Sequence, residues 1–241
     1  PPRSTLFPYT TLFRSVKQAT LYATAFGIYQ LYLNGQRVSK DYFSPGWTDY
    51  TKRIYYRTYD VTSTIKSGDN AIGAILADGW YAGYVGYGKK RNHYGQKLRL
   101  MAQLHIEYSD GTTQDVFTNP DWKGTTGPIL HADFLMGESY DATKELTGWN
   151  EAGYADAAWT AVNTGAELAP QVQAAPSEPV VVFEELRPVS MSEPTKGAYV
   201  FDMGQNFAGE VRLKVRGASG QAIQLRFAER LNPDGTVYTT N

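Results

Sequence analysis

The residues best suited to chemistry fall in two short runs. The first, Leu76-Ala77-Asp78-Gly79-Trp80-Tyr81-Ala82-Gly83-Tyr84-Val85-Gly86-Tyr87-Gly88, sets four glycines and four aromatic rings around one acid. Glycine lets backbone bend and approach closely, and exposed rings are costly unless they pack or stack. Two readings are open. The run is a platform for a flat polar ligand, with Asp78, Trp80, Tyr81 and Tyr87 facing a sugar, or it is a bulge whose rings close one end of a β-sandwich. The second run, His131 to Asp141, holds Asp133, Glu138 and Asp141. Paired carboxylates hydrolyse glycosides when they stand ~6.5–9.5 Å apart (inverting) or ~5–5.5 Å apart (retaining). One short loop rarely supplies both partners, so these acids read instead as loop hydrogen-bonders or contacts to a neighbouring domain.

Three other clusters are weaker. Asp69, Asn70 and Asp78 offer hard oxygen ligands suited to Ca²⁺, although Asp-Asn is equally a turn former. Gly83 to Lys90 nearly spells a phosphate-binding loop, but Lys90 stands where a Mg²⁺-holding hydroxyl is needed and a strand follows instead of a helix, which excludes nucleotide binding. Lys89-Lys90-Arg91 is a local basic cluster in a chain of net charge −1. Without a global field it reads as a solvated loop, and neither nucleic acid nor membrane is implied as a partner. His93, His105 and His131 lack zinc-site spacing, and the absence of Cys removes thiolate ligands and disulfides.

The elements that must position these runs are strands. Aromatics make up 14% of the chain, 18 of them Tyr, which suits β-structure. A period of two runs from Ala19 through Phe26, and Ile28 to Leu33 continues it into Asn34-Gly35, a hairpin signal. Tyr55 to Val61 alternates again, and Asp60 caps a single helical turn that Gly68 ends. Ala71 to Ala77 is apolar on both faces, as in a covered central strand. Leu98 to Tyr108 alternates most regularly, turns at Asp110-Gly111 and returns over Thr112 to Thr118. Gly148 to Ala161 reads as a loop pinned by Trp149, Tyr154 and Trp159.

Thr5 to Ser15 reads as the in-frame translation of a sequencing-adapter oligonucleotide, so residues 1–15 are set aside as a cloning scar. The Pro- and Ala-rich stretch Ala166 to Pro179 reads as a linker. Beyond it, Val180 to Leu186, Tyr199 to Asp202, Val211 to Arg216 and Ala222 to Phe227 read as new strands, too few for a sandwich of ~100 residues. The expected architecture is all-β: an antiparallel jelly-roll β-sandwich over 16–170, a linker over 171–179, and the truncated start of a second β-sandwich over 180–241.

Several motifs carry a family resemblance. Asp60 to Ala74 resembles the strand entry of galactose-binding-like jelly rolls. Ser44-Pro45-Gly46-Trp47-Thr48-Asp49-Tyr50, Leu76 to Gly83, and Gly127-Pro128-Ile129 with Gly137 to Asp141 are similar to the N-terminal region of bacterial α-L-rhamnosidases of glycoside hydrolase family 78. Phe201 to Gly209 resembles the start of the concanavalin-like sandwich that follows in those enzymes. The resemblance implies an inverting hydrolase whose acid and base lie in a downstream (α/α)₆ barrel, so no catalytic residue is expected in this chain. It further implies L-rhamnose-containing glycans and that barrel as partners, with Ca²⁺-dependent rhamnose binding by the jelly roll in some members. A free-standing carbohydrate-binding or adhesion sandwich is the alternative. The cellular compartment stays open.

Overall fold

A computed structural model describes residues 3–4, 15–88, 90–165 and 171–239. The remaining part of the supposed scar and Lys89 of the basic cluster lie outside the described residues. The chain divides into two compact units, Pro1–Val181 and Val182–Asn241.

In the first unit two sheets share one core. One sheet is ordered β12-β9-β1-β6-β3-β4 and the other β13-β5-β2-β7-β8. The long strands are β2 (Val16–Phe26), β3 (Ile28–Leu33), β5 (Arg53–Asp60), β6 (Ile72–Ala77) and β7 (Arg99–Tyr108). Shorter strands complete the sheets: β1 (Arg3–Ser4), β4 (Gln36–Arg37), β8 (Thr113–Phe117), β9 (Lys123–Thr126), β12 (Thr160–Ala161) and β13 (Gln171–Ala174). A separate hairpin joins β10 (Ile129–Asp133) to β11 (Gly137–Tyr140).

Alternation in sequence becomes alternation in burial. Ala102, Leu104, Ile106 and Tyr108 of β7 point into the core beside Ala19, Leu21 and Ala23 of β2, and meet Leu31, Leu33, Ile72 and Ala74 from the other sheet. Face-to-face packing of two antiparallel sheets over such alternating residues is a β-sandwich. The Asn34-Gly35 turn closes as expected, with both residues at positive φ. Asn34 does more than turn: its side chain donates to Thr64 O and Asn70 Oδ1 and accepts from Ala71 N, so two turns are locked together.

Some expectations are corrected. Asp60 does not cap the helical turn Thr62–Thr64, whose cap position is Val61; its carboxylate instead accepts from Thr62 N and Oγ1. Residues 171–179, expected as a linker, contain β13, which runs parallel to β5 with Val172 opposite Ile54. The ladder needs only backbone groups, so flanking Pro and Ala do not prevent it. Arg3–Ser4, inside the supposed scar, lie between β6 and β9 as a short strand.

In the second unit β14 (Ser190–Thr195) pairs with β15 (Ala198–Asp202). The expected strands over Val180 to Leu186, Val211 to Arg216 and Ala222 to Phe227 are in no ladder among the described residues; Val180, still in the first unit, makes one isolated bridge to Tyr42. Their alternation is present, but no strand pairs with it among the described residues, and Val211, Leu213, Val215, Ile223, Leu225 and Phe227 are exposed.

Candidate functional site

The glycine- and aromatic-rich run leaves β6 through one short helical turn, α1 (Gly79–Ala82). It is fastened to the β10–β11 hairpin by Asp133. Asp133 Oδ2 accepts from Tyr84 N at 2.8 Å, and Oδ1 accepts from Leu135 N and Met136 N at 2.8 and 3.0 Å. The carboxylate sits so close to Gly83 that a Cβ there would lie 2.7 Å from Oδ2 and 2.3 Å from Gly79 O, so only glycine fits. Partial burial pushes the Asp133 carboxyl up, but the three N–H donors together with the nearby His131 outweigh it and hold the pKa below the ordinary value.

This fastening builds an aromatic rim. Trp80 lies parallel to Trp47 at 5.8 Å between centroids, 4.4 Å from the Phe134 ring and edge-on to Phe43 at 6.1 Å. Tyr81 turns the other way and packs on Phe26 at 4.8 Å and Tyr50 at 5.4 Å. Asp78 pairs with Arg91, whose guanidinium lies over the Tyr84 ring. Tyr87 is fully exposed at the tip of the run. Asp78, Trp80 and Tyr81 are thus each already engaged, while Tyr87 is exposed.

The other candidate residues are dispersed. Asn70 is consumed by its own turn, accepting from Lys66 N and donating to Lys66 O and Gly68 O. Asp69 beside it is exposed, and the length of β6, roughly 20 Å, separates both from Asp78. The three are not brought together, and no cluster of three or more His, Asp or Glu suited to a metal occurs among the described residues. Asp141 accepts from Thr143 N and Oγ1, and Glu138 is exposed on β11. The acids of the second run therefore take separate positions. His105 is bonded to Asp115 at 2.8 Å, and His93 meets Tyr94 edge-on.

Sequence reasoning did not single out Phe43, Trp47 and Phe134 as site residues. They come to Trp80 from distant parts of the chain, and the only local signal was a Trp in a Pro-Gly turn. Trp47 is 49% exposed, and Leu135 and Met136 extend the apolar rim.

Residues 14–184 match the family described as Alpha-L-rhamnosidase N-terminal domain. The chain belongs to the α-L-rhamnosidase family. Residues 192–241 match the bacterial α-L-rhamnosidase concanavalin-like domain. Among curated relatives, the α-L-rhamnosidase of Streptomyces avermitilis is 49% identical over 230 residues, which are 95% of this chain and 22% of the relative. That of Alteromonas sp. (strain LOR) is 43% identical over 232 residues, 95% of this chain and 25% of the relative. The crystal structure of the S. avermitilis α-L-rhamnosidase complexed with L-rhamnose superposes with a TM-score of 0.95 at 46% identity, covering 98% of this chain and 23% of that one. The native α-L-rhamnosidase of Aspergillus terreus gives 0.77 at 36% identity, over 85% of this chain and 24% of that one. The chain thus corresponds to the N-terminal portion of α-L-rhamnosidases and spans about a quarter of the length of the relatives it matches.

Proposed function

We propose that this chain serves as the non-catalytic front of an enzyme that releases terminal α-L-rhamnose from glycosides, with the acid and base in a downstream barrel of the same polypeptide. The observation that carries this reading is the disposition of the acids. Asp78 is paired with Arg91, and Asp133 and Asp141 are held by local donors. Each of these carboxylates is already engaged by a local partner, and the chain matches only the N-terminal portion of its α-L-rhamnosidase relatives. The aromatic rim of Phe43, Trp47, Trp80 and Phe134 then supports neighbouring chain in preference to gripping sugar, since the Trp80 ring is already covered by protein.

Extension of the reading frame past Asn241 tests the proposal. A longer product that cleaves aryl α-L-rhamnosides and loses activity when a pair of downstream carboxylates is neutralised is the expected result. An extended product without a helical barrel, or without hydrolysis, contradicts it and favours a free-standing carbohydrate-binding sandwich.

A further inference from the structure

The chain contains a single Asn-Gly pair, Asn34-Gly35, at the turn between β3 and β4. Such a pair is chemically labile, because glycine has no Cβ to keep its backbone nitrogen away from the asparagine side-chain carbon. Loss of the side-chain amide needs a Gly35 N–H free to give up its proton, an Asn34 side chain free to swing its Cγ onto that nitrogen, and water. The turn itself demands the pair, since both residues sit at positive φ as a two-residue hairpin of this kind requires.

The fold withholds each requirement. Asn34 is 8% exposed. Its Nδ2 donates to Thr64 O at 2.8 Å and to Asn70 Oδ1 at 2.7 Å, and its Oδ1 accepts from Ala71 N at 2.9 Å. Gly35 N donates to Asn150 O at 2.9 Å, and a Cβ on Gly35 would stand 3.2 Å from Glu151 Cγ, so the Glu151 side chain covers the residue. The attacking nitrogen and the leaving amide are thus tied to different remote segments. Both ties must break before the two can meet.

We propose that Asn34 is a deamidation site gated by opening of this turn, and that the modification is one-way. In the opened turn Gly35 N loses its proton to hydroxide and bonds to Asn34 Cγ, the Cγ–Nδ2 bond breaks, and Nδ2 takes up a proton and leaves as ammonia. Water then opens the succinimide ring at one of its two carbonyls, leaving aspartate or isoaspartate. Either product ends in a carboxylate, which only accepts hydrogen bonds. In the place of the amide it would face Thr64 O and Asn70 Oδ1, two acceptors that Nδ2 now supplies with protons. Asn70 is not free to turn its own amide round, because its Nδ2 donates to Lys66 O and Gly68 O. Buried acceptors facing one another without a proton are unfavourable, so the two turns do not lock together again.

The test is peptide mass mapping, with an isoaspartate-specific assay, on the full chain held in mildly alkaline buffer with and without concentrated urea. Residue 34 is expected to deamidate at least about tenfold more slowly in buffer than in urea, because the rate follows the population of the opened turn. Asn70→Ala removes one tie and is expected to raise the rate in buffer while leaving the rate in urea unchanged. Asn34→Asp, which installs a product directly, is expected to lower the melting midpoint of the full chain. The comparison of buffer with urea uses the unsubstituted chain, so it decides the matter even where Asn70→Ala fails to fold. Equal rates in buffer and urea, no acceleration by Asn70→Ala, or an Asn34→Asp chain that melts with its parent would each overturn the proposal.

Discussion

Tyr84 donates its backbone N–H to the Asp133 carboxylate at 2.8 Å, and through that bond the glycine-rich run and the β10–β11 hairpin become one piece. Phe134, next to Asp133, is thereby placed 4.4 Å from Trp80. Asp133, read from sequence as a loop hydrogen-bonder or a contact to a neighbouring domain, accepts three backbone N–H groups and fastens an aromatic rim.

Asp133→Ala removes the acceptor for three backbone N–H groups. We expect a loss of about 1–2 kcal/mol in urea unfolding, with a change in tryptophan emission as Trp80 loses the Phe134 ring. Asp133→Asn keeps one acceptor oxygen and is expected to lose less. Equal stability of all three proteins would contradict this role.

Thr62 offers a second handle. Its hydroxyl donates to Asp60 Oδ1 and accepts from Ala19 N at 2.9 Å, at a fully buried residue of β2. Thr62→Ala orphans that N–H and is expected to cost about 1–3 kcal/mol, whereas Thr62→Ser restores most of it. Chemical denaturation of the three proteins measures the order.

Asp49, Asp60, Asp141 and Asp234 each sit two residues before a Thr that donates to the carboxylate, and all four are held below the ordinary carboxyl pKa by the Thr hydroxyl first and the backbone N–H as well. A lowered folded-state pKa means a contribution that is present above the unfolded pKa and lost as pH falls through the folded one. The melting midpoint is therefore expected to fall below about pH 4, with these four carboxyls titrating below the ordinary carboxyl range by NMR. Titration at or above the ordinary pKa would refute it.

Gly73 lies under Trp149, and a Cβ would stand 2.5 Å from Cζ3 of that ring. Gly73→Ala must displace Trp149, which also meets Tyr32 edge-on at 5.2 Å. A destabilisation of about 1–3 kcal/mol is expected, partly relieved by combining it with Trp149→Leu. Additive losses in the double variant would argue against the contact.

Much of the first unit was legible because local pattern and global burial agree. The alternation over Leu98 to Tyr108, the Asn34-Gly35 turn and the pinning role of Trp149 and Trp159 all follow from single stretches of sequence. β13 was not legible, because a parallel edge strand is specified by the backbone of β5 and not by its own side chains. In the second unit, Val211 to Arg216 and Ala222 to Phe227 keep the alternation read from sequence but form no ladder among the described residues. The Trp47–Trp80 stack joins residues far apart in sequence, and the pairing of Asp78 with Arg91 is equally a product of the fold.

The most direct measurement is hydrolysis of an aryl α-L-rhamnoside by the purified chain alone. No release above the buffer blank is expected at any pH. Release that scales with the concentration of the chain, and disappears when it is unfolded, would place catalytic carboxylates within these residues and contradict the supporting role.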